Sequence, residues 1–157
     1  MNVTVWRIVK AKFAKSAFNG EGAKLVGGRW NTIGIPMVYT AENVSLATIE
    51  MRVPLLSNEM LKPYRLIRAT IPQALIESVD SKALPLGWDA DEPTARSKQF
   101  GSRWIRRGAY CVLRVPSAIV PHDFNSLLNP KHRDFPQIFI GKPERFTFHP
   151  RLWSFPE

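Results

Sequence analysis

Hydrophobic and polar positions along the 157-residue chain change period often. Val3 to Val9 alternates and is rich in β-branched residues, which predicts a strand. Phe18 to Gly28 is glycine-rich and reads as loop. Pro36 to Ala41 (PMVYTA) predicts a second strand entering the interior. Asn43 or Ser45 caps a helix running to Val53, where Pro54 ends it. Tyr64 to Ile71 predicts another strand. Asp91 to Arg107 has a cap-like acid, a proline in its first turn and basic residues at its end, which are helix start and stop signals. Tyr110 to Val115 predicts a strong strand. Gln137 to Ile140 and Arg145 to Phe148 predict short ones, and Asn125 to His132 (NSLLNPKH) an ordered loop whose Asn side chains bond backbone. The order is mixed and the helices are few. The expectation is an α+β domain spanning 1–157, with a mainly antiparallel, bent sheet.

Composition adds limits. Hydrophobic residues make up 45% and charged residues 22%, an ordinary globular balance. The 13 prolines are dispersed, which suits many short elements. No apolar run approaches the ~20 residues of a membrane span, and the N-terminus is a poor signal peptide. A single cysteine, Cys111, excludes an internal disulfide. The expected location is cytoplasmic, with no membrane partner.

Charge suggests a polyanionic partner. There are 22 Lys and Arg against 13 Asp and Glu, a net +9, with the densest cluster at Arg103, Arg106 and Arg107. The histidines His122, His132 and His149 share no metal-ligand spacing with Cys111. Cys111 sits mid-strand among apolar residues and reads as inert core. GEGAKL lacks the third glycine of a dinucleotide fingerprint, and no Walker or G-x-S-x-G motif is present.

The candidate chemistry begins at Glu50. On the expected helix, Leu46, Ile49, Glu50 and Val53 share one face, so a carboxylate lies among apolar neighbours. It is either a helix-edge acid whose head reaches water or a group lining a cavity. Arg29 follows Gly27-Gly28 and offers a planar fork for phosphate or carboxylate, or simply occupies a surface turn. Tyr39 precedes the helix and reads as core or as a stacking face. Ser117, between two prolines past a strand end, is rigidly placed to bond a ligand.

Taken in order, these blocks carry more than each does alone. GAKLVGGRWNTIGIPMVYTAENVSLATIE, LRVPSAIVP and NSLLNPKHRDF together resemble the RES domain, the toxin half of bacterial RES–Xre toxin–antitoxin pairs. The resemblance runs from about Trp6 to Trp153. The family's Arg, Glu and Ser map to Arg29, Glu50 and Ser117, with Ser126 and Ser45 as competing serines, and its strand tyrosine maps to Tyr39.

The resemblance implies a fold similar to ADP-ribosyltransferase toxins and an activity that destroys NAD. Members cleave the nicotinamide–ribose bond by hydrolysis or phosphorolysis, so NAD is a substrate rather than a resident cofactor, and inorganic phosphate is a possible co-substrate. Some are described as ADP-ribosylating a protein. The implied partner is an Xre-like helix-turn-helix antitoxin, through which DNA is engaged only indirectly. Glu50 would stabilise positive charge on the ribose or hold a ribose hydroxyl, and Arg29 would hold the pyrophosphate or its adjoining ribose. Tyr39 would stack near nicotinamide, and Ser117 would orient nicotinamide or ribose. Gly28 would let the loop lie against the ligand, and Asn125 completes the expected binding set. A reading from a different class, a basic nucleic-acid-binding protein or ribonuclease, rests on the net charge.

Overall fold

The computed structural model describes residues 1–52, 55 and 57–152. Eight strands form one sheet: β1 (Asn2–Lys10), β2 (Val38–Ala41), β3 (Tyr64–Pro72), β4 (Ile76–Ser78), β5 (Val112–Pro116), β6 (Phe124–Leu128), β7 (Phe139–Ile140) and β8 (Glu144–Phe146). Their spatial order is β4-β5-β6-β2-β1-β3-β7, with β8 also on β3. Every pair is antiparallel except β4 with β5. The expected mixed, mainly antiparallel α+β arrangement is therefore observed.

The sheet has a seam. β1 pairs with β3 over its full length, from Asn2–Pro72 to Lys10–Tyr64. It meets β2 at one position, Trp6 opposite Ala41. Arg7 reinforces the seam: its Nη1 donates to the Tyr39 carbonyl at 2.9 Å and its Nε to the Ala17 carbonyl at 2.8 Å. Burial draws the Arg7 pKa down to about 10.

Side chains alternate across the sheet. One face carries Val5, Val38, Ile67, Ala69, Ile71, Val112 and Leu128 and packs on Ala17, Phe18 and Ile138. The opposite face splits in two. Ile8, Ala41 and Tyr64 pack with Leu46, Ala47 and Phe148. Leu113, Val115 and Leu127 pack with Trp30, Met37 and Trp104. The candidate site lies on this second face.

Three helices serve it. α1 is Glu21–Val26, where the glycine-rich sequence predicted loop. The glycines act at its ends: Gly20 and Gly27 both have φ of +75°, and the Gly27 N–H closes the last turn on the Ala23 carbonyl. α2 is Val44–Arg52, capped by Asn43, whose Oδ1 accepts from the Leu46 N–H at 2.7 Å. Ser45 is exposed on its first turn, and the expected stop at Val53 and Pro54 lies outside the described residues. α3 is Ala95–Arg107, shorter than the Asp91 start predicted. Thr94 is its cap, accepting from the Ser97 N–H at 3.2 Å, while Asp91 and Pro93 belong to the preceding loop. Gly108, with φ of +62°, ends it.

The other differences are local. Asn125 to Leu128 is strand β6 rather than loop, because Leu127 and Leu128 pair with both β2 and β5. The Asn residues do bond backbone: Asn125 Nδ2 donates to the Thr40 carbonyl and Asn129 Oδ1 accepts from the Lys131 N–H. Of the short strands near the C-terminal end, the first is trimmed to Phe139–Ile140 and the second is shifted to Glu144–Phe146.

Candidate active site

Glu50 occupies the last turns of α2. The buried positions of this helix are Leu46 and Ala47, whereas Ile49 is 37% exposed and Glu50 half-buried. The apolar surround expected for Glu50 is thus one-sided: the carboxylate stands at the rim of the core. Ser117 holds it there. Ser117 Oγ donates to Glu50 Oε1 at 2.7 Å across 67 residues of sequence.

Ser117 itself is 0% exposed. Its oxygen also accepts from the Ile119 and Val120 N–H groups, both at 3.1 Å. A hydroxyl has one proton and two lone pairs, so its capacity is filled. Ser117 thus has no bonding capacity left beyond Glu50 Oε1 and these two N–H groups. Glu50 Oε2 has no partner among the described residues. Ser126 is buried on β6, where its carbonyl accepts from Thr40 Oγ1 and its side chain belongs to the sheet face opposite Tyr39. Of the three serines, Ser117 is the one that meets Glu50.

The GGRWN loop, residues 27–31, is built around Asn31, which the sequence reading did not single out. Asn31 is fully buried. Its Nδ2 donates to the Ala23 and Ile35 carbonyls at 2.8 and 3.0 Å. Its Oδ1 accepts from the Tyr39 hydroxyl at 2.6 Å, and that hydroxyl accepts from the Trp30 N–H at 3.0 Å. The available signal was an Asn closing a loop that opens on two glycines, a residue type that bonds nearby backbone.

Burial raises the Tyr39 pKa, against smaller opposing effects of the Trp30 N–H and the Arg29 charge. The hydroxyl is thus a committed donor, and only the Tyr39 ring remains for a ligand. Gly28 also serves the interior. A Cβ there would lie 2.6 Å from the Tyr39 hydroxyl and 2.9 Å from Asn31 Oδ1. Its missing side chain makes room for Tyr39 rather than only for a ligand.

α3 backs the loop with small residues. A Cβ on Gly101 would fall 1.8 Å from the Trp30 carbonyl oxygen, and Ser102 Oγ accepts from the Thr32 N–H at 3.0 Å. Arg29 projects from this loop to a distant segment. Its Nη1 donates to the Trp88 and Ala90 carbonyls at 2.9 and 2.7 Å, and its Nη2 to the Asp91 carbonyl at 3.2 Å. Asn125 sits on the same sheet face as Tyr39, since Ala41 pairs with Asn125 and Tyr39 with Leu127.

The structure thus joins Glu50 to Ser117, and Gly28 to Tyr39 through Asn31. Two surface cavities of about 370 Å³ lie elsewhere, around Lys131 and His132 and around Lys15 and Phe135. Neither includes Glu50, Arg29 or Tyr39. We place the site by its chemistry, because a carboxylate aligned by a buried hydroxyl is a built arrangement and a shallow hollow is not. The basic cluster on α3 is partly neutralised, with Arg107 Nη2 2.6 Å from Glu77 Oε2. Cys111 is buried, and its thiol is pushed up to about 12, mainly by burial. No three His, Cys, Asp or Glu side chains cluster as metal ligands among the described residues. No helix among them is long and apolar enough to cross a membrane.

Residues 4–149 match the RES domain. The chain belongs to the RES family. Toxin Res of Photorhabdus laumondii subsp. laumondii is 40% identical over 144 residues, covering 92% of each chain. The Prs ADP-ribosylating toxin of Sphingobium sp. (strain YBL2) is 34% identical over 157 residues, covering 97% of this chain and 98% of that one. This RES chain is a toxin by that kinship. Its fold matches a chain in the crystal structure of the M. tuberculosis MbcT–MbcA toxin–antitoxin complex. The TM-score is 0.73 at 17% identity, over 94% of this chain and 85% of the other. The likeness of this RES chain to that solved chain agrees with the α+β reading of the sequence.

Proposed function

We propose that this RES toxin is an enzyme that breaks the nicotinamide–ribose bond of NAD. The observation that carries the proposal is the Ser117–Glu50 hydrogen bond, which fixes one carboxylate oxygen and leaves the other without a partner among the described residues. Breaking an N-glycosidic bond builds positive charge on the ribose, in an oxocarbenium-like transition state. A carboxylate already aligned stabilises that charge without reorganising during the reaction.

In this reading the C1′–N bond breaks and its electron pair leaves with nicotinamide. Glu50 Oε2 faces the ribose, stabilising its charge or holding a hydroxyl. Water or phosphate then attacks C1′ and releases a proton to solvent. The Tyr39 ring stacks near nicotinamide, Asn125 lines the pocket, and Arg29 faces the phosphates. Ser117 positions Glu50 and does not itself touch substrate.

The test is nicotinamide release from NAD by the purified chain, with and without inorganic phosphate. Release in both conditions supports hydrolysis, and release only with phosphate supports phosphorolysis. No release by folded protein in either condition overturns the proposal as stated.

A second reading keeps the site and changes the acceptor to a protein side chain. The 34% identity to a toxin named for ADP-ribosylating Prs favours it. Labelled NAD would then mark a target protein covalently. For the partner, the matching fold was solved in a toxin–antitoxin complex. We infer an antitoxin partner of the Xre-like helix-turn-helix type, with both proteins in the cytoplasm and DNA bound only by the antitoxin.

A further inference from the structure

Arg29 has five N–H donors. Three are taken by carbonyls of one short segment, Trp88, Ala90 and Asp91. What is left is the Nε–H and one Nη2–H, with no partner among the described residues. Two such donors on one planar group suit two oxygens of a phosphate. The Trp88–Asp91 segment therefore sets the direction in which this arginine presents its remaining charge and donors.

The segment is itself held. Trp88 stacks on Trp30, with ring centroids 6.1 Å apart and planes 25° from parallel. Trp30 is the residue next to Arg29, is nearly fully buried, and packs edge-on against Phe100 of α3. The Trp88 and Ala90 N–H groups close turns on the Pro85 and Gly87 carbonyls. Gly87 has φ of +82°, which a side chain disfavours. Asp89 and Asp91 are exposed, so the segment meets Arg29 through its carbonyls.

We propose that Trp88–Asp91 is a positioning element of the active site: it clamps one end of the Arg29 guanidinium and leaves a two-donor fork for a phosphate group of the dinucleotide. Trp88 is the positioning residue through which the clamp is held. The proposal rests on the reading that the site takes an anionic dinucleotide, and it adds a segment that the sequence motifs do not include.

The experiment is calorimetric titration of the purified chain with ADP, with adenosine and with inorganic phosphate. The wild type is expected to bind ADP at least about tenfold more tightly than adenosine, as charge-assisted pairing with a phosphate implies. R29Q should abolish that preference. W88A should weaken ADP about tenfold while leaving adenosine within about twofold, and W88F should restore most of the ADP affinity. A merely structural role would not separate ADP from adenosine.

If W88A does not fold by circular dichroism, G87A takes its place. A Cβ at Gly87 meets nothing closer than 3.9 Å, so that change strains only the turn, and the same separation is expected. Inorganic phosphate that competes with ADP, and is weakened by the same variants, would assign the fork to a free phosphate and still support the clamp. Equal affinities of wild type for ADP and adenosine would overturn the proposal. So would loss of both ligands together, or of neither, in folded W88A or G87A. A wild type that shows the expected ADP pattern but releases no nicotinamide would overturn the NAD-cleavage reading and leave the clamp standing.

Discussion

Ser117 donates its only proton to Glu50 Oε1, at 2.7 Å, while its oxygen gathers the Ile119 and Val120 N–H groups. One buried hydroxyl thus joins the β5–β6 turn to α2. Ser117→Ala should act on both activity and stability. It leaves two backbone N–H groups without an acceptor, at a cost of about 1–3 kcal/mol. It should also reduce nicotinamide release by ~10-fold or more, since aligned electrostatic groups are worth several kcal/mol. Glu50→Gln should cost ~100-fold or more in activity and much less in stability. Thermal melts beside initial rates check the contrast, and a fully active Ser117→Ala would end the positioning role.

Tyr39→Phe removes a hydroxyl that serves two partners, Asn31 Oδ1 and the Trp30 N–H. The expected destabilisation is about 1–3 kcal/mol. For a chain of this size that lowers Tm by ~2–4 °C per kcal/mol. Gly28→Ala should lower it too, because its Cβ would collide with the same hydroxyl. Unchanged melting in both would show that this network contributes little.

Acid sensitivity should trace in part to Glu59. Lys10 Nζ lies 2.7 Å from its Oε2 and Lys62 Nζ 2.9 Å from its Oε1. These partners lower the Glu59 pKa from 4.5 to about 2. A carboxyl depressed in the folded state contributes stability above its unfolded pKa, and that contribution is lost as pH falls through the folded value. Stability should therefore drop between about pH 4.5 and 2, and Glu59→Gln should flatten that limb in a urea titration. An identical acid limb in the variant would remove this ion cluster as its source.

Cys111 should be silent toward alkylating reagents while the protein is folded. It is buried, and its thiol is pushed up to about 12. The thiolate is the reactive form, so modification at pH 8 should track global unfolding. Mass spectrometry of samples with and without denaturant measures this. Fast labelling of the folded chain would contradict it.

Much of the fold was legible because β1, β2, β3 and β5 carry uninterrupted apolar or alternating runs. β6 was hidden, since Asn125 and Ser126 look like loop residues until their neighbours on β2 and β5 are known. α1 was hidden because glycines that cap a helix read locally like glycines that break one. The site divides the same way. Glu50 stood out by its chemistry, but its link to Ser117 is a contact across 67 residues that no local pattern encodes. The structure shows Ser117 bonded to Glu50, a contact its place between two prolines did not announce. Arg29 was visible as a cation beside glycines, and its carbonyl partners 59 to 62 residues away were not.

The seam between β1 and β2 has one more consequence. Among the described residues, strand pairing joins the two halves of the sheet at a single position, with the Arg7 side chain bonding across beside it, yet the polypeptide itself crosses between them repeatedly, from β1 to β2, β2 to β3, β3 to β4 and β6 to β7. The halves are laced rather than glued. Neither corresponds to a contiguous stretch of chain: β3 interrupts the half made of β2, β4, β5 and β6, and the half made of β1, β3, β7 and β8 is complete only once β8 is. α2, which carries Glu50, lies within one of those crossings. For a toxin this sets an order of assembly: synthesis must pass Ser117 before Glu50 has its partner, and must reach β8 before the second half of the sheet is whole.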